Sequence, residues 1–437
     1  MSTESPVGQL DSFNPAEREQ ALRRLKEKVI LGELPPKPCK GFINLHAHSF
    51  LSFNCYGYSP SHIVWQGFQE GLESVGTIEF DVLDAVEETL KAGAILGIRT
   101  VAGLESRVFV PEYADMVLNS PKEPGIHYAI ATGFYRLPEK GSRAEQTLNK
   151  MRTIARDRNL VILEKTNAHL DSVRLDYEND VLPLTPLRNA TERHILEAYD
   201  RKTRTVFPEP DKLAEFWSRQ LSETKEKILS ILGNRPNLQE LIRMKLMKYG
   251  GISYVPPEPK NFPSLSETVD MIIETGGLPS GGWLDGTNEG EKDIEKLLGF
   301  FIDTQHVLLN IVPDRNWNIK DPEEKKLKVA KLKETIECAR KLKLPLIGGT
   351  EMNKSGQKFV DDFDAPELKP YLDDFRKGAF MAYGHTMLSM YANRGFFSSW
   401  AKENFPDRVK RSEFYIRAGQ SLQPGESIQE QVKIFLK

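Results

Sequence analysis

The histidines His46 and His48 are the residues whose types and spacing most directly suggest chemistry. They stand at the end of a predicted strand, FINLH, and side chains at positions i and i+2 of a strand point to the same face. Both imidazoles can therefore reach one cation. An isolated pair of this kind is more often two ordinary core or surface histidines, so the prediction of a metal site needs further candidate ligands.

Further candidate ligands occur where later predicted strands end. Parallel α/β folds collect their functional side chains at this carboxyl edge. The candidates are Glu79 and Asp81 after the second strand, Glu105 at the end of the third, and Glu351 with Asn353 at the end of the last. A carboxylate in such a position can also cap a helix, as Asp81 could. Two imidazoles with two or three carboxylates suit zinc, manganese or iron, and the set leaves the choice open.

Short apolar segments that alternate with amphipathic ones predict the elements that position these residues. FINLH, SVGTIEF and RTVAGLE are typical strands, and SHIVWQGFQEGL and VLDAVEETLKAGAILG between them are typical helices. Such regular alternation favours βαβ units in a parallel sheet or barrel. Residues 142–250 depart from it, because they predict mainly helices.

These patterns divide the 437 residues into three predicted parts. We expect residues 1–40 to form a helical N-terminal extension and linker. Residues 41–365 should form an α/β barrel that carries a helical insertion at 206–261, and residues 366–437 should form a helical C-terminal extension. The chain is long enough for several domains, although a barrel of 250 residues or more is commonly one domain.

Composition restricts the partners that the chain can have. A net charge of −3 leaves no basic excess to neutralise a nucleic acid, so a small-molecule partner fits better. The three cysteines lack any C-x-x-C spacing, which disfavours a disulfide framework or a thiolate zinc site. The first residues lack the apolar core of a signal peptide, and no stretch approaches the roughly 18 apolar residues of a membrane span. We therefore expect a cytoplasmic protein without a membrane partner.

Six motifs, in order, resemble the PHP (polymerase and histidinol phosphatase) superfamily of metal-dependent phosphoesterases. They are NLHAHS, GLESVGTIEFDVLDAVEET, Gly103-Leu104-Glu105, Glu192-Arg193-His194-Ile195, GGLPSGGWL and Gly349-Thr350-Glu351-Met352-Asn353. The resemblance runs through most of the chain. It implies a distorted (β/α)7-type barrel and a metal-dependent phosphoesterase.

The resemblance also implies which residues bind metal. A first divalent cation, zinc, manganese or iron, would be held by a set of four residues. These are His46, His48, Glu105 and Glu351. A second, weaker site would share Glu105 and add His194, with Asp285 as a substitute for a missing ligand.

Three positions depart from the family pattern. Phe80, Trp283 and Asn353 stand where family members carry metal-binding histidines. Phenylalanine cannot coordinate a cation, and asparagine offers only a neutral carbonyl. We therefore expect one firm metal site, a second that is weaker, and no third.

A phosphate substrate would need positive groups, because its transferring group gathers negative charge. The candidates near matched motifs are Arg107, Arg188, Arg193 and Lys354. Each of them could equally be an ordinary surface charge, and Lys354 at a strand end is the preferred one. Candidates for proton transfer are Glu79, Asp81 and His385. His385 would act by folding back over the site from a helix after the barrel, or it could merely cap that helix.

Three functions are compatible with these residues. The first is hydrolysis of a small phosphorylated metabolite or nucleotide by metal-activated water. The second keeps the metal but cleaves a C–N bond, because an H-x-H motif on the first barrel strand also opens amidohydrolases. The third is a PHP-type fold that binds a ligand without turnover. The sequence does not predict the oligomeric state.

Overall fold

The computed structural model describes residues 5–437, and within them one seven-stranded sheet forms the centre of the fold. The strands are β1 (Ile43–Ala47), β2 (Ser74–Phe80), β3 (Arg99–Phe109), β4 (Ile126–Thr132), β5 (Leu278–Trp283), β6 (Leu308–Ile311) and β7 (Leu346–Gly348). They lie in the sheet in chain order. All neighbouring pairs are parallel except those of β4, which is antiparallel to both β3 and β5.

The sheet closes almost completely into a barrel. A parallel bridge joins Ala47 at the end of β1 to Glu351, three residues after β7. The Glu351 N–H donates to the His46 carbonyl over 2.7 Å, and the His48 N–H donates to the Glu351 carbonyl over 2.8 Å. The predicted α/β class and the distorted barrel are confirmed, with one strand reversed.

Helices surround the barrel. Those of the first half are α1 (Pro6–Gln9), α2 (Pro15–Ile30), α3 (Pro60–Gln69), α4 (Val86–Leu96), α5 (Arg143–His169), α6 (Glu192–Val206), α7 (Pro210–Leu221), α8 (Lys225–Leu232) and α9 (Arg235–Ile242). Those of the second half are α10 (Leu265–Thr275), α11 (Ile294–Asp303), α12 (Asp314–Trp317), α13 (Pro322–Lys341), α14 (Leu372–Ala392), α15 (Ser399–Asn404), α16 (Arg408–Ser421) and α17 (Ile428–Phe435). Ser264 and Glu267 form a capping box at the start of α10, and left-handed Gly276 ends it.

The helices between β4 and β5 have a hydrophobic core of their own. It runs from Ile162 in α5 to Met247 and is separate from the core around the sheet. We call residues 143–255 the helical body. The helical insertion predicted at 206–261 covers only part of it, because α5 and α6 contribute to the same core.

The two ends of the chain pack against the barrel in different ways. Helix α2 lies against α3 and α4, where the Arg18 side chain donates to the Glu88 carboxylate over 2.8 Å. Helix α14 packs against β7, β3 and β1, and α16 and α17 pack against α14. Among the helices of residues 5–437, none combines the length and the apolar composition that crossing a membrane requires.

Candidate metal centre

The histidine pair lies at the carboxyl end of β1, on the strand face shared with Asn44. The alternation of β1 places these polar residues opposite the apolar Leu45 and Ala47. His46 and His48 are 1% and 0% exposed, and their ring centroids lie 5.2 Å apart. Buried imidazoles side by side are costly unless other groups satisfy their nitrogens.

Glu105 of β3 lies level with the carboxyl end of β2 and faces both histidines. Its Oε2 lies 3.0 Å from Nε2 of His46 and 3.5 Å from Nε2 of His48. One ligand atom from each of the three buried residues lies within 4.8 Å of the other two. The β2–β3 register puts Phe80 opposite Glu105, so neighbouring strands bring these groups to one edge.

The set of His46, His48 and Glu105 fits a divalent cation. Among the described residues, neither ring nitrogen of His48 has a hydrogen-bond partner. Nδ1 of His46 lies 3.1 Å from Oδ1 of Asn310, an acceptor that leaves Nε2 free to bind a cation. Two imidazoles and one carboxylate with open positions are typical of catalytic zinc and of non-haem iron.

The protonation of the two histidines differs. Burial lowers the pKa of His46, but the hydrogen bond and the charge of Glu105 outweigh it, so the pKa is raised. Burial lowers the pKa of His48 well below its usual value, and the charge of His46 lowers it further. His48 is therefore neutral, and a cation would compete with protonation at His46.

Glu351 lies next to the histidines through its backbone, but its carboxylate is engaged elsewhere. The side chain accepts a hydrogen bond from Arg315. Within the described chain, the three-residue ligand set does not include Glu351. Glu351 and Met352 have φ of 60° and 58°, in the left-handed region that residues other than glycine rarely adopt. Such backbone costs about 1–3 kcal/mol per residue and is concentrated at functional sites.

His194 forms part of a helix cap. It is the third residue of α6, and its Nδ1 accepts the Thr191 N–H over 3.0 Å. Burial lowers the pKa of His194 to about 3, so the ring is neutral and carries its proton on Nε2. That nitrogen cannot bind a cation without losing the proton. The structure does not bring His194 into the set around His46.

Glu79 points away from the metal centre. It shares a face of β2 with Thr77, whose hydroxyl bonds to Thr89 of α4 over 2.8 Å. The Glu79 carboxylate accepts from the backbone N–H of Ser49, over 3.1 Å, and from the hydroxyl of Ser52. Burial raises the pKa of Glu79 to about 7. The carboxylate therefore holds the loop after the histidines.

Asp81 lies beside the metal centre. Its N–H donates to the Glu105 carbonyl over 3.0 Å, and its carboxylate accepts from the Ser106 hydroxyl over 2.6 Å. Burial raises the pKa of Asp81 to about 6, although Ser106 and the charge of Arg107 oppose that shift. A carboxyl group with this pKa can donate a proton near neutral pH.

His385 lies at the opposite edge of the barrel. It is in the middle of α14, 2% exposed, and its Nε2 donates to the Gly276 carbonyl over 3.0 Å just before β5 begins. Its Nδ1 accepts the Phe396 N–H over 2.9 Å. Both nitrogens are thus used in packing, and burial lowers the pKa to about 4. The predicted folding back over the site does not occur.

The predicted substrate-binding cations are placed differently from one another. Arg107 pairs with Glu123 over 2.5 Å on the extension of β3, and Arg193 pairs with Glu240 over 2.7 Å in the helical body. Arg188 is 62% exposed and bonds to Glu178. Lys354 lies exposed in the loop after β7. Only Arg107 lies on a strand that also carries a member of the metal set.

The positions that depart from the family pattern serve packing. Phe80 stacks on His48 with the ring centroids 3.9 Å apart and the planes at 17°. Trp283 is buried in the main core at the end of β5. Asp285 pairs with Lys328 over 3.1 Å, and Asn353 lies half-buried in a loop.

Sequence reasoning missed two residues of the site, Asn310 and Arg315. Asn310 is a polar residue inside the apolar strand segment HVLLNIV, which is a signal for an inward-facing functional group. Arg315 follows the carboxyl end of β6 and acts on His48 through its charge. The strand-end rule that selected the carboxylates would have selected it as well.

Two solved structures resemble this barrel. An amidohydrolase from Chromobacterium violaceum, solved with bound sulfate and no metal, is 14% identical at a TM-score of 0.50, and the match covers 76% of this chain and 95% of that one. A candidate metal-dependent phosphoesterase from Bifidobacterium adolescentis is 15% identical at a TM-score of 0.47, and the match covers 77% of this chain and 98% of that one. No protein-family profile and no curated protein matches the sequence. At such identity the first likeness shows a shared fold.

Proposed function

We propose that this chain is a metal-dependent hydrolase of the PHP type that cleaves the ester bond of a small phosphorylated metabolite or nucleotide. The observation that supports it is the convergence of His46, His48 and Glu105 at the carboxyl edge of a barrel, with ligand atoms within 4.8 Å of one another. This edge is where barrel enzymes carry their active sites.

One cation, zinc, manganese or iron, would be held by these three residues. When bound, it supplies a Lewis acid and lowers the pKa of a water molecule towards about 7. Asn310 holds the ring of His46 so that Nε2 faces the site, and Phe80 fixes the ring plane of His48. A single cation is favoured because His194 caps a helix and the carboxylate of Glu351 bonds to Arg315.

Two residues would act on the substrate. Asp81, with a pKa raised to about 6, would donate a proton to the oxygen of the leaving group. Arg315 is 44% exposed next to Glu351 and would bind the oxygens of the phosphoryl group, whose negative charge a guanidinium matches. Arg107, Arg193 and Lys354 would add positive charge at the rim.

Metal analysis of the purified protein tests the proposal together with a panel of phosphate esters and amides under manganese, zinc and iron. We expect about one equivalent of cation and hydrolysis of phosphate esters. His46→Ala should lose both. His169→Ala is the matched control, because this histidine at the end of α5 bonds only to the Gln220 carbonyl, over 3.1 Å.

Three outcomes would contradict the proposal. Protein without metal in every preparation would exclude the cation site. Hydrolysis of amides but not of phosphate esters would identify a C–N hydrolase with the same ligand set. Bound metal without turnover of either class would identify a binding protein.

A further inference from the structure

A group of basic side chains in the helical body lies outside the set of metal ligands. Three of them meet on one carboxylate, that of Glu192, which is 8% exposed. Arg243 lies 2.6 Å from its oxygens, Lys248 lies 3.0 Å away and Arg158 lies 3.2 Å away. We call these four residues, with Arg193 and Glu240, the cation cluster.

The cation cluster has too little negative charge for its burial. Glu240 pairs with Arg193 over 2.7 Å and with Arg243 over 3.6 Å, so four cations face two carboxylates. The side chains of Arg158, Arg193 and Arg243 are at most 23% exposed. Like charges that are largely withdrawn from water repel one another strongly. The cation cluster therefore carries an excess of positive charge, which a bound anion would neutralise.

The pKa of Lys248 agrees with this shortage of negative charge. Burial lowers it to about 8, and the charges of Arg243 and Arg158 lower it further although Glu192 raises it. Burial is the main cause of this shift and the two arginines add to it, whereas the pKa of Arg243 is raised because Glu192 and Glu240 outweigh its burial.

The cation cluster lies on the same side of the barrel as the metal centre. Arg107 is two residues beyond Glu105 on β3, and it lies opposite Tyr128 of β4. Burial raises the pKa of Tyr128, and the charges of Arg107, Glu123, Glu105 and Arg158 all act on this phenol. Tyr128 is therefore near both the metal ligand Glu105 and the cation cluster.

We propose that the cation cluster binds a second anionic group of the substrate, a phosphate or a carboxylate, while the metal centre holds the ester to be cleaved. The statement that this anionic group belongs to the substrate rests on the proposed function. The anion site itself does not, because it is built from residues of α5, α6, α9 and the turn after α9.

Calorimetric titration with inorganic phosphate tests the anion site. The full chain with His46→Ala, without added metal, is the background, because that substitution removes the cation that would bind phosphate at the metal centre. We expect one phosphate to bind in this background and Lys248→Gln or Arg243→Gln to weaken it at least tenfold. Lys212→Gln, which removes an exposed cation of the same helical body, should leave the affinity unchanged. Absence of phosphate binding in the background, or equal affinity in all variants, would overturn the proposal.

Glu192→Gln should change the phosphate affinity in the opposite direction. It provides a second test if an arginine variant does not fold. Removing the carboxylate that competes with the ligand should tighten phosphate binding severalfold, and unchanged or weaker binding would contradict the proposal.

The role of the cation cluster in substrate selection is tested with phenyl phosphate and 4-carboxyphenyl phosphate. Lys248→Gln should lower kcat/KM for 4-carboxyphenyl phosphate alone. An equal loss for both esters would contradict a role of the cation cluster in substrate selection.

These readouts separate the two proposals. If the metal-loaded protein hydrolyses nothing but phosphate binds in the His46→Ala background, the proposed function fails and the anion site stands. If phosphate esters are hydrolysed but the background binds no phosphate, the anion site fails and the proposed function stands.

Discussion

The two edges of the barrel both bury histidines, but they treat the ring nitrogens in opposite ways. At the amino edge, both nitrogens of His385 have backbone partners, within 3.0 Å. At the carboxyl edge, neither nitrogen of His48 has a partner among the described residues, and the ring is equally buried. An unpartnered buried polar group is costly, so hydrogen bonding rather than burial separates these two histidines. His127 on β4 is also buried without partners among the described residues, so the place of His48 in the set with His46 and Glu105 is what marks it as a candidate ligand.

The largest expected effect is on activity, from His48→Ala. Loss of an outer partner of a metal ligand typically costs 10–100-fold in affinity or activity, so loss of a ligand should cost more than about 100-fold. Stability should fall less than in His385→Ala, because the lost packing on Phe80 leaves a cavity but no hydrogen bond to the ring is lost. The measurements on this variant are its metal content, its turnover and the midpoint of its urea unfolding. If His48→Ala lost stability but kept its metal, His48 would be the structural histidine and not a ligand.

The converse is expected for His385→Ala. The change leaves the Phe396 N–H and the Gly276 carbonyl without partners and creates a cavity beneath α14. We expect the free energy of unfolding to fall by about 2–4 kcal/mol. Metal content and turnover per folded molecule should not change. Urea titration gives the first quantity, and a loss of activity without a loss of stability would show that His385 takes part in the reaction.

The sequence predicts the position of the metal set better than the orientation of its neighbours. His46, His48 and Glu105 could be found because each follows an apolar strand segment and parallel strands share one carboxyl edge, although β3 continues beyond Glu105 to Phe109. The position of His385 could not be found, since it depends on how α14 packs across the opposite edge. The bond between Arg315 and Glu351 depends on two segments 36 residues apart, which no local pattern relates.

Glu79 shows a second limit and provides the next prediction. Like His385 it has hydrogen-bond partners, so it should affect stability rather than activity. Its pKa in the folded chain is raised to about 7, above the value near 4.3 of an unfolded chain. Its contribution is thus fully present below about pH 4 and is lost as the pH rises through about 7.

Unfolding at pH 5 and pH 8 measures this contribution. The free energy of unfolding should be lower at pH 8 than at pH 5. In Glu79→Gln this decrease should be about 2–3 kcal/mol smaller than in the unaltered chain. Other buried acids with a raised pKa, such as Glu291 and Asp361, leave part of the pH dependence in place. Equal slopes in both proteins would show that Glu79 does not bind a proton on folding.

The smallest effect is expected at Asn310, whose side chain, like that of Glu105, contacts a ring nitrogen of His46. Asn310 Oδ1 lies 3.1 Å from Nδ1 of His46 and fixes which nitrogen carries the proton. Asn310→Ala should weaken metal binding 10–100-fold, as the loss of such partners does elsewhere. Asn310→Asp keeps the acceptor and should retain most of the affinity. Competition with a chelator gives both affinities. If the two variants bind metal equally well, the orientation of the His46 ring does not depend on Asn310. The backbone alone would then position this ring at the carboxyl edge.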